Sequence, residues 1–283
     1  MYRGNLRRYA AVPVLLAGLL LSAVSALASE ESPVGKDTFK LAAGVFLPAI
    51  DSQLRINSKT LGTGTIIDLE DDLGFDEDVT LGVLGGYWRF AKKHRLYFGY
   101  YGFDRNTSAA IDKEIVIDDT TYVVGAELKS NWDIDFVFAS YGYSFFQGEK
   151  WELSGSLGFY YLTTSFTVKG IGTISGEVEA EKEITKEESL ELPIPLFGLS
   201  AEYYFSPKWR TIISASLFTI AIGDWDGSLF QCSANLEYLF HKNFGVGAGY
   251  TYFDVDVERD RETRISHLDY KYSAVQVYGI WHF

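Results

Sequence analysis

The chain has 283 residues, of which 16% are aromatic and 27 are glycine, and its formal net charge is −13. This charge argues against a protein that binds nucleic acid or another polyanion. The single cysteine excludes an internal disulfide. Mean hydropathy is near zero, as expected for strands that carry one apolar and one polar face.

The N-terminal residues predict an export signal. A basic start with three arginines precedes an apolar run at residues 10–24, and Ala26-Leu27-Ala28 places small residues where a signal peptidase cleaves. We predict a cleaved signal peptide, residues 1–28, and a mature domain, residues 29–283. A retained transmembrane helix would need about 20 apolar residues, and the run is shorter. Cleavage removes three arginines and no acidic residue, so the formal charge moves from −13 to −16.

The C-terminal residues alternate with a period of two, which is typical of a β-strand. Val275, Val277, Gly279, Trp281 and Phe283 form one uncharged face. A terminal aromatic on such a strand resembles the closing strand of bacterial outer-membrane β-barrels. In that family the terminal Phe helps the assembly machinery to recognise the chain. The resemblance therefore implies that Phe283, together with Trp281, is an assembly signal.

An exported chain with many aromatics and no second long apolar run needs another explanation for its apolar surface. In lipid, only helices and closed barrels satisfy their own backbone groups. We therefore predict an all-β, closed, antiparallel, up-and-down transmembrane barrel. A soluble sandwich or a lipocalin also alternates, but neither requires aromatics on its outer face.

Turn-like segments give the strand count. Four short polar turns lie between aromatic-rich runs, at residues 91–94, 147–150, 206–208 and 241–243. Five longer, mostly acidic stretches lie between them, at residues 51–78, 106–121, 169–189, 223–227 and 258–264. Outer-membrane barrels have short periplasmic turns and long outer loops. Nine connections predict ten strands with both termini in the periplasm, and eight or twelve strands remain as alternatives.

The predicted strands exceed the length of about 9–11 residues that crosses the hydrocarbon, so we expect the barrel to project beyond the outer leaflet. Residues 112–130 are predicted to carry an extra hairpin outside the membrane. The ten predicted strands are Thr38–Ala49, Val79–Ala91, His94–Arg105, Tyr122–Phe146, Trp151–Val168, Leu190–Phe205, Trp209–Ile222, Ser228–Phe240, Phe244–Val257 and Ile265–Phe283.

Alternation assigns the two faces of each strand. A charge facing lipid costs a few kcal/mol at mid-depth, so charged residues are predicted to face the lumen, whereas Cys232, whose face is otherwise apolar, is predicted to face lipid.

Seven charged residues lie close to the short turns and form what we call the lumen charge layer. Its members are Lys40, Arg89, Arg95, Glu152, Glu202, Arg210 and Glu237. Four bases facing three acids in a narrow space predict ion pairs that block the lumen. The arrangement resembles the gated interior of the OmpA-type barrel. It serves either as an ion-selective constriction or as a structural plug.

Residues 68–78, here called the acidic strip, carry seven acids in eleven positions. The sequence Leu-Glu-Asp-Asp-Leu-Gly within it resembles a motif between the first two strands of a poorly characterised group of small proteobacterial barrels. Leu69, Leu73 and Phe75 interrupt the acids and predict an anchored segment. Oxygen ligands at this density suit Ca²⁺ or Mg²⁺, but no EF-hand spacing is present, so only loosely bound cations are expected. The weak candidate ligands are Asp68, Glu70, Asp71, Asp72, Asp76 and Asp78.

Evidence for catalysis is sparse. Of the four histidines, only His267 falls near the predicted outer side. Its neighbour Ser266 points to the opposite face of the strand, and Asp269 shares the face of His267 and could orient it, as in the omptin-type proteases. The other acidic pairs of that family are not located here. No cofactor is expected, and the chain is predicted not to be an enzyme.

The whole mature chain resembles the small outer-membrane barrels in the broad group of the OmpW and OmpA barrel domains. The resemblance implies the outer membrane of a Gram-negative bacterium. Expected partners are outer-membrane lipid, lipopolysaccharide and, during biogenesis, the barrel-assembly machinery; a monomer is expected. Three functions stay open: a structural or weakly conducting porin-like barrel, a conduit for small hydrophobic molecules, and an outer-membrane hydrolase. A conduit predicts an apolar upper lumen and a lateral gap between strands.

Overall fold

The computed structural model describes residues 34–58, 64–117, 120–174, 182–262 and 264–283. The predicted signal peptide lies outside these residues. The described chain forms thirteen β-strands in a single sheet. In these described ranges, no helix has the length and apolar character needed to cross a membrane.

Ten of the strands are long and three are short. The long strands are β1 (Phe39–Ser58), β3 (Leu81–Ala91), β4 (His94–Ala110), β7 (Glu127–Gln147), β8 (Trp151–Ile174), β9 (Lys182–Ser206), β10 (Trp209–Ile222), β11 (Trp225–His241), β12 (Phe244–Asp260) and β13 (Arg264–His282). The short strands are β2 (Ile66–Asp68), β5 (Ile115–Ile117) and β6 (Thr120–Tyr122).

The ten long strands close into a ring. Each pairs antiparallel with the next long strand along the chain. The first and last strands then pair with each other, from Lys40 opposite His282 to Ser58 opposite Arg264. The prediction of a closed, ten-stranded, antiparallel barrel is confirmed.

The two ends of the barrel differ in their connections. Four tight turns lie at one end, with their tips at residues 92–93, 148–150, 207–208 and 242–243. The described N-terminal segment and the C-terminus meet at this short-turn end, where the amides of Thr38 and Phe39 donate hydrogen bonds to the carbonyl of Phe283. The longer connections lie at the opposite loop end.

Several strands continue at the loop end into residues that the sequence predicted to be loops. β1 extends nine residues past Ala49, and β8 and β9 stay paired as far as Gly172 opposite Lys182. Polar residues form a regular ladder there because the strands project past the apolar band, so the sequence loses its apolar signal before the backbone pairing ends.

The predicted extra hairpin is present. β5 and β6 pair with each other, and β6 also pairs with the loop-end part of β8. β7 begins at Glu127, five residues later than predicted, because a tight turn precedes it. Gly125 adopts a positive φ of 83° in that turn and donates its amide to the carbonyl of Ile111. This conformation favours glycine.

Side chains alternate between the two faces as predicted. On β3, Leu84, Trp88 and Phe90 are exposed, whereas Tyr87 and Arg89 are buried. The outer face is rich in large apolar side chains throughout the ring. The interior holds both the charged residues near the short turns and an apolar cluster nearer the loop end.

Candidate functional site in the barrel interior

All seven residues of the lumen charge layer are buried at the short-turn end of the barrel. Glu152 lies at the centre of one half of the network. Arg89 binds it through two parallel hydrogen bonds of 2.8 and 2.9 Å, and Nη2 of Arg95 donates a third of 2.6 Å. Ser144 and Gln147 also donate to this carboxylate. Two parallel hydrogen bonds between a guanidinium and a carboxylate are among the strongest hydrogen-bonded arrangements in proteins.

Glu237 organises the other half of the network. Its carboxylate accepts hydrogen bonds from Arg210 Nε at 2.6 Å, from the Tyr278 hydroxyl at 2.9 Å and from Lys40. Glu202 joins the two halves, because it pairs with Arg95 and lies 3.5 Å from Arg210. The lumen charge layer is therefore one continuous network across the barrel.

An eighth charged residue completes this layer. Asp37 precedes β1 and lies 3.3 Å from Arg89 and 3.6 Å from Arg210. Burial raises the pKa of its carboxyl, an effect that Arg210 and Arg95 oppose. With Asp37 included, four acids face four bases. Sequence alternation did not find Asp37 because it lies before the first strand.

Above the lumen charge layer lies a chamber of about 350 Å³, which we call the polar chamber because hydroxyl and amide groups line it beside apolar side chains such as Val83, Phe138 and Leu196. Its wall carries hydroxyl and amide groups, many of them bonded to one another, as in the pair formed by Ser214 and Ser233 at 2.8 Å. The polar lining residues include Ser140, Ser156, Ser200, Ser214, Ser216, Ser233, Gln231, Asn235 and Gln276. The chamber has room for water or a small polar solute, and the lumen charge layer forms its floor.

A layer of aromatic rings forms the roof of the chamber. Tyr101 stacks on Phe136 with ring centres 4.7 Å apart, and Phe253 stacks on Tyr272 at 4.9 Å. Tyr160 packs edge-on against Phe136 and also lines the chamber below. The wall of the lumen therefore changes at this depth from mixed polar and apolar side chains to mainly aromatic ones.

The acidic strip folds inward over the aromatic layer. Glu70 is its anchor: the carboxylate accepts hydrogen bonds from the amide and hydroxyl of Ser52, at 2.8 and 2.7 Å, and from Arg105 Nη2 at 2.7 Å. Leu69, Leu73 and Phe75 are buried among the core residues. The acidic strip thus occupies the mouth of the barrel. Glu70 fixes it by hydrogen bonds, and its apolar residues pack into the core.

The other acids of the strip have local roles or face solvent. Asp68 accepts the amide of Asp71 at 2.9 Å, and Asp72 accepts the amide of Asp68 at 2.8 Å and pairs with Lys113 at 2.6 Å. Asp71, Asp76 and Asp78 are exposed. In the part of the chain that the structure describes, no group of three or more His, Cys, Asp or Glu side chains could hold a metal ion. Loose binding of Ca²⁺ or Mg²⁺ stays a prediction.

The barrel wall is interrupted between β9 and β10. Their pairing ends at Phe197 opposite Leu217, and within the described residues β10 continues to Ile222 with β11 as its only partner. The amide of Tyr204 donates a hydrogen bond to the carbonyl of Lys150, next to β8. Successive amides of a strand point to opposite neighbours, so the even-numbered amides of β9 point towards β8 and the odd-numbered positions face β10. Pro193 and Pro195 occupy two of these positions and have no N–H to donate. The gap is therefore a direct result of the sequence, although alternation alone did not reveal it.

An apolar cavity of about 250 Å³ opens at this gap. Ile194, Phe218 and Ile220 line it from the two separated strands, and it reaches Pro193 and Glu191, which are exposed. A second apolar cavity, of about 50 Å³, lies under the acidic strip beside Leu69. Trp225 and Val257 line both cavities. The two cavities are therefore neighbours, one below the acidic strip and one at the gap in the wall, with these two side chains between them.

The histidine considered for catalysis has a different setting. His267 Nε2 lies 3.3 Å from Asp256 Oδ2 on the neighbouring strand, whereas Asp269 binds Lys271 at 2.8 Å. Asp269 and His267 thus engage separate partners.

The C-terminal aromatics lie on the outside at the short-turn end. Phe283 packs against Trp281 and Phe39, with ring centres 4.5 and 5.7 Å away, and more than half of its side chain is exposed. The role of Phe283 and Trp281 in assembly stays a prediction.

No protein-family model matches this chain, and no curated protein matches it significantly. The solved structures that are similar to it include three outer-membrane proteins. The outer-membrane protease OmpT from Escherichia coli shares 9% identity with a TM-score of 0.53, and the match covers 92% of this chain and 100% of OmpT. OprG from Pseudomonas aeruginosa shares 11% identity, with a TM-score of 0.42 and coverage of 90% and 98%. The toluene transporter TodX from Pseudomonas putida shares 10% identity, with a TM-score of 0.40 and coverage of 88% and 90%. The chain has the fold of the small outer-membrane β-barrels, and at these identities the likeness concerns the fold alone.

Proposed function

We propose that this protein is an outer-membrane conduit for small hydrophobic molecules. They enter at the loop end, cross the apolar upper lumen and leave sideways into the lipid between β9 and β10. The observation that carries the proposal is the interrupted wall at Pro193 and Pro195, where an apolar cavity of about 250 Å³ reaches the outside.

The rest of the interior fits this route. The lumen charge layer is a network of buried ion pairs across the short-turn end, which favours a lumen that is blocked there. Passage of a hydrophobic molecule through this layer is unfavourable, because the molecule would have to separate the ion pairs and leave buried charges without partners. A sideways exit avoids both the layer and the polar chamber above it. We also propose that the short-turn end faces the periplasm and that the protein acts as a monomer in contact with lipopolysaccharide.

The proposal is tested by restoring the missing backbone donors. The double variant Pro193→Val and Pro195→Val returns two N–H groups to the edge that faces β10, so the ladder should extend and the gap should narrow. We expect cells that carry the wild-type protein to take up the fluorescent hydrophobic probe N-phenyl-1-naphthylamine faster than cells without it. The double variant should lose most of that increase.

Pro207→Ala is the matched control, because Pro207 lies in a short turn far from the gap. It should behave as wild type, with each variant checked for equal amounts of folded protein in the membrane. If cells with the double variant take up the probe as fast as cells with the wild-type protein, the gap is not the exit.

A second candidate function is a weakly conducting channel for small polar solutes. The polar chamber of about 350 Å³ favours it, since this space has hydroxyl and amide groups on its wall and the lumen charge layer as a possible gate. Ion current through the reconstituted protein tests this alternative.

A further inference from the structure

We propose that the conduit selects small amphiphiles with one anionic head group, such as aromatic or medium-chain carboxylates, and that Arg259 binds the head. This inference rests on the proposed function and names its substrate class. It comes from the smaller cavity at the loop end, which is apolar except for a few polar groups.

Three residues lie in one row across the wall of this cavity. Arg259 on β12 is directly opposite Trp225 on β11 and directly opposite Ser266 on β13. All three line the cavity. Cross-strand neighbours on one face stand about 4.5–5.5 Å apart, so a single small group can contact more than one of them.

The row contains hydrogen-bonding atoms without a partner. Arg259 Nε and Ser266 Oγ are both buried and make no hydrogen bond within the described chain. The Arg259 guanidinium lies over the Trp225 ring, 4.5 Å from its centre. Stacking holds the planar group in place and leaves its edge free to bind. A buried donor without a partner is unfavourable, and a carboxylate matches a guanidinium with two parallel hydrogen bonds.

The size and position of the cavities fit an amphiphile. Trp225 and Val257 line both the smaller cavity and the one of about 250 Å³ at the gap, so the two cavities are neighbours. An apolar cavity of about 150 Å³ binds benzene, so the larger cavity has room for a substituted ring or a short alkyl chain. A head at Arg259 would therefore direct the apolar body towards the gap.

The test compares two probes of the same shape that differ in charge: 4-propylbenzoate and the neutral 4-propylbenzamide. Both are titrated at pH 7 into the refolded full-length protein in detergent, with tryptophan fluorescence as the signal, because Trp225 lies against both cavities. We expect wild type to bind the carboxylate at least about tenfold more tightly, as charge-assisted hydrogen bonds allow. Arg259→Gln should remove this preference and leave the affinity for the amide unchanged.

Arg259→Lys keeps the charge but loses the two-pronged geometry, so it should retain only part of the preference. Lys271→Gln removes one positive charge from the neighbouring strand outside the cavity and should behave as wild type. The wild-type comparison requires no variant and stands even if Arg259→Gln fails to refold.

The outcomes separate the two proposals. Equal affinity of wild type for both probes, or an unchanged preference in Arg259→Gln, would overturn the proposed selection of an anionic head group by Arg259. The proposal of a hydrophobic conduit would still stand. Failure of wild type to bind either probe would contradict the conduit itself.

Discussion

Arg105 and Glu70 form a salt bridge, with Nη2 and Oε1 2.7 Å apart, that fastens the acidic strip inside the mouth of the barrel. Both side chains are almost fully buried, and Arg105 also donates to the carbonyl of Asp76 and lies over the ring of Phe75. One arginine of the wall thus contacts the strip at three residues. The strip is therefore held as a fixed part of the barrel.

Breaking this salt bridge should release the strip. Arg105→Gln leaves the Glu70 carboxylate buried with Ser52 as its remaining partner, and loss of one member of a buried pair costs about 3–5 kcal/mol. We expect local opening of residues 66–78 while the barrel stays closed. Limited proteolysis with a glutamate- or aspartate-specific protease, read by mass spectrometry, measures the opening.

Lys113→Gln is the control, since the Lys113 side chain is exposed although it pairs with Asp72 of the strip. A pair with one solvent-exposed partner is weaker than a fully buried one, because water screens it, so this variant should be cut at close to the wild-type rate. Equal cleavage of all three proteins would show that Arg105 does not hold the strip.

The lumen charge layer should control whatever conductance the barrel has. Glu202→Ala or Glu237→Ala leaves uncompensated positive charge in a buried network, at a cost of about 3–5 kcal/mol that entering water can offset. We expect larger single-channel currents and a reversal potential shifted towards anion selectivity. Planar-bilayer recordings at matched protein density measure both quantities.

Glu149→Ala removes an exposed acid from a short turn next to the layer and serves as the control. It should leave current and selectivity unchanged. If neither buried variant changes the current or the reversal potential, these residues do not form the constriction and act only as supports of the wall.

The closed ring predicts a heat-modifiable protein. Because β1 pairs with β13, each long strand of the described chain has a neighbour on both sides over at least part of its length, and a closed sheet resists fraying. The folded protein should migrate differently from the boiled protein on a detergent gel. Identical mobility before and after boiling would contradict closure.

Phe283 should matter for assembly in cells and much less for the finished fold. Its ring is largely exposed and contacts Trp281 and Phe39, while its carbonyl accepts the amides of Thr38 and Phe39. We expect deletion of Phe283 to lower the amount in the outer membrane severalfold, whereas the purified variant still refolds in detergent. A normal membrane level of the deletion variant would remove the assembly role.

The number of strands and the direction of their side chains followed from the sequence. Backbone periodicity is a local property, so alternation such as that of Leu84, Trp88 and Phe90 against Tyr87 and Arg89 is visible without a structure. It also placed seven charged residues on the lumen side near the short turns, and in the structure these residues form one network.

Other features depend on contacts between distant residues. The acidic strip has no strand periodicity. Its apolar residues predicted an anchored segment and its acids loosely bound cations, but the sequence did not indicate that Glu70 lies buried against Arg105. Arg105 lies ten residues after Arg95 on the same strand, so alternation places both side chains on the lumen face. Arg105 could have been assigned to the interior on that basis. Pro193 and Pro195 can be read from the sequence. Their effect depends on whether their backbone nitrogens face β8 or β10, and only the strand register shows this.

The seam between β1 and β13 has a consequence for how the chain folds. The paired residues are separated by more than 200 positions along the sequence. Contacts of such long range are slow to form, because the entropy of closing the intervening chain is lost before they stabilise anything. Until β13 has been synthesised, one edge of β1 stays open and can pair with another chain. We therefore expect the nascent protein to depend on holding factors from the exit of its first strand to the release of its last, and to close in a single late step.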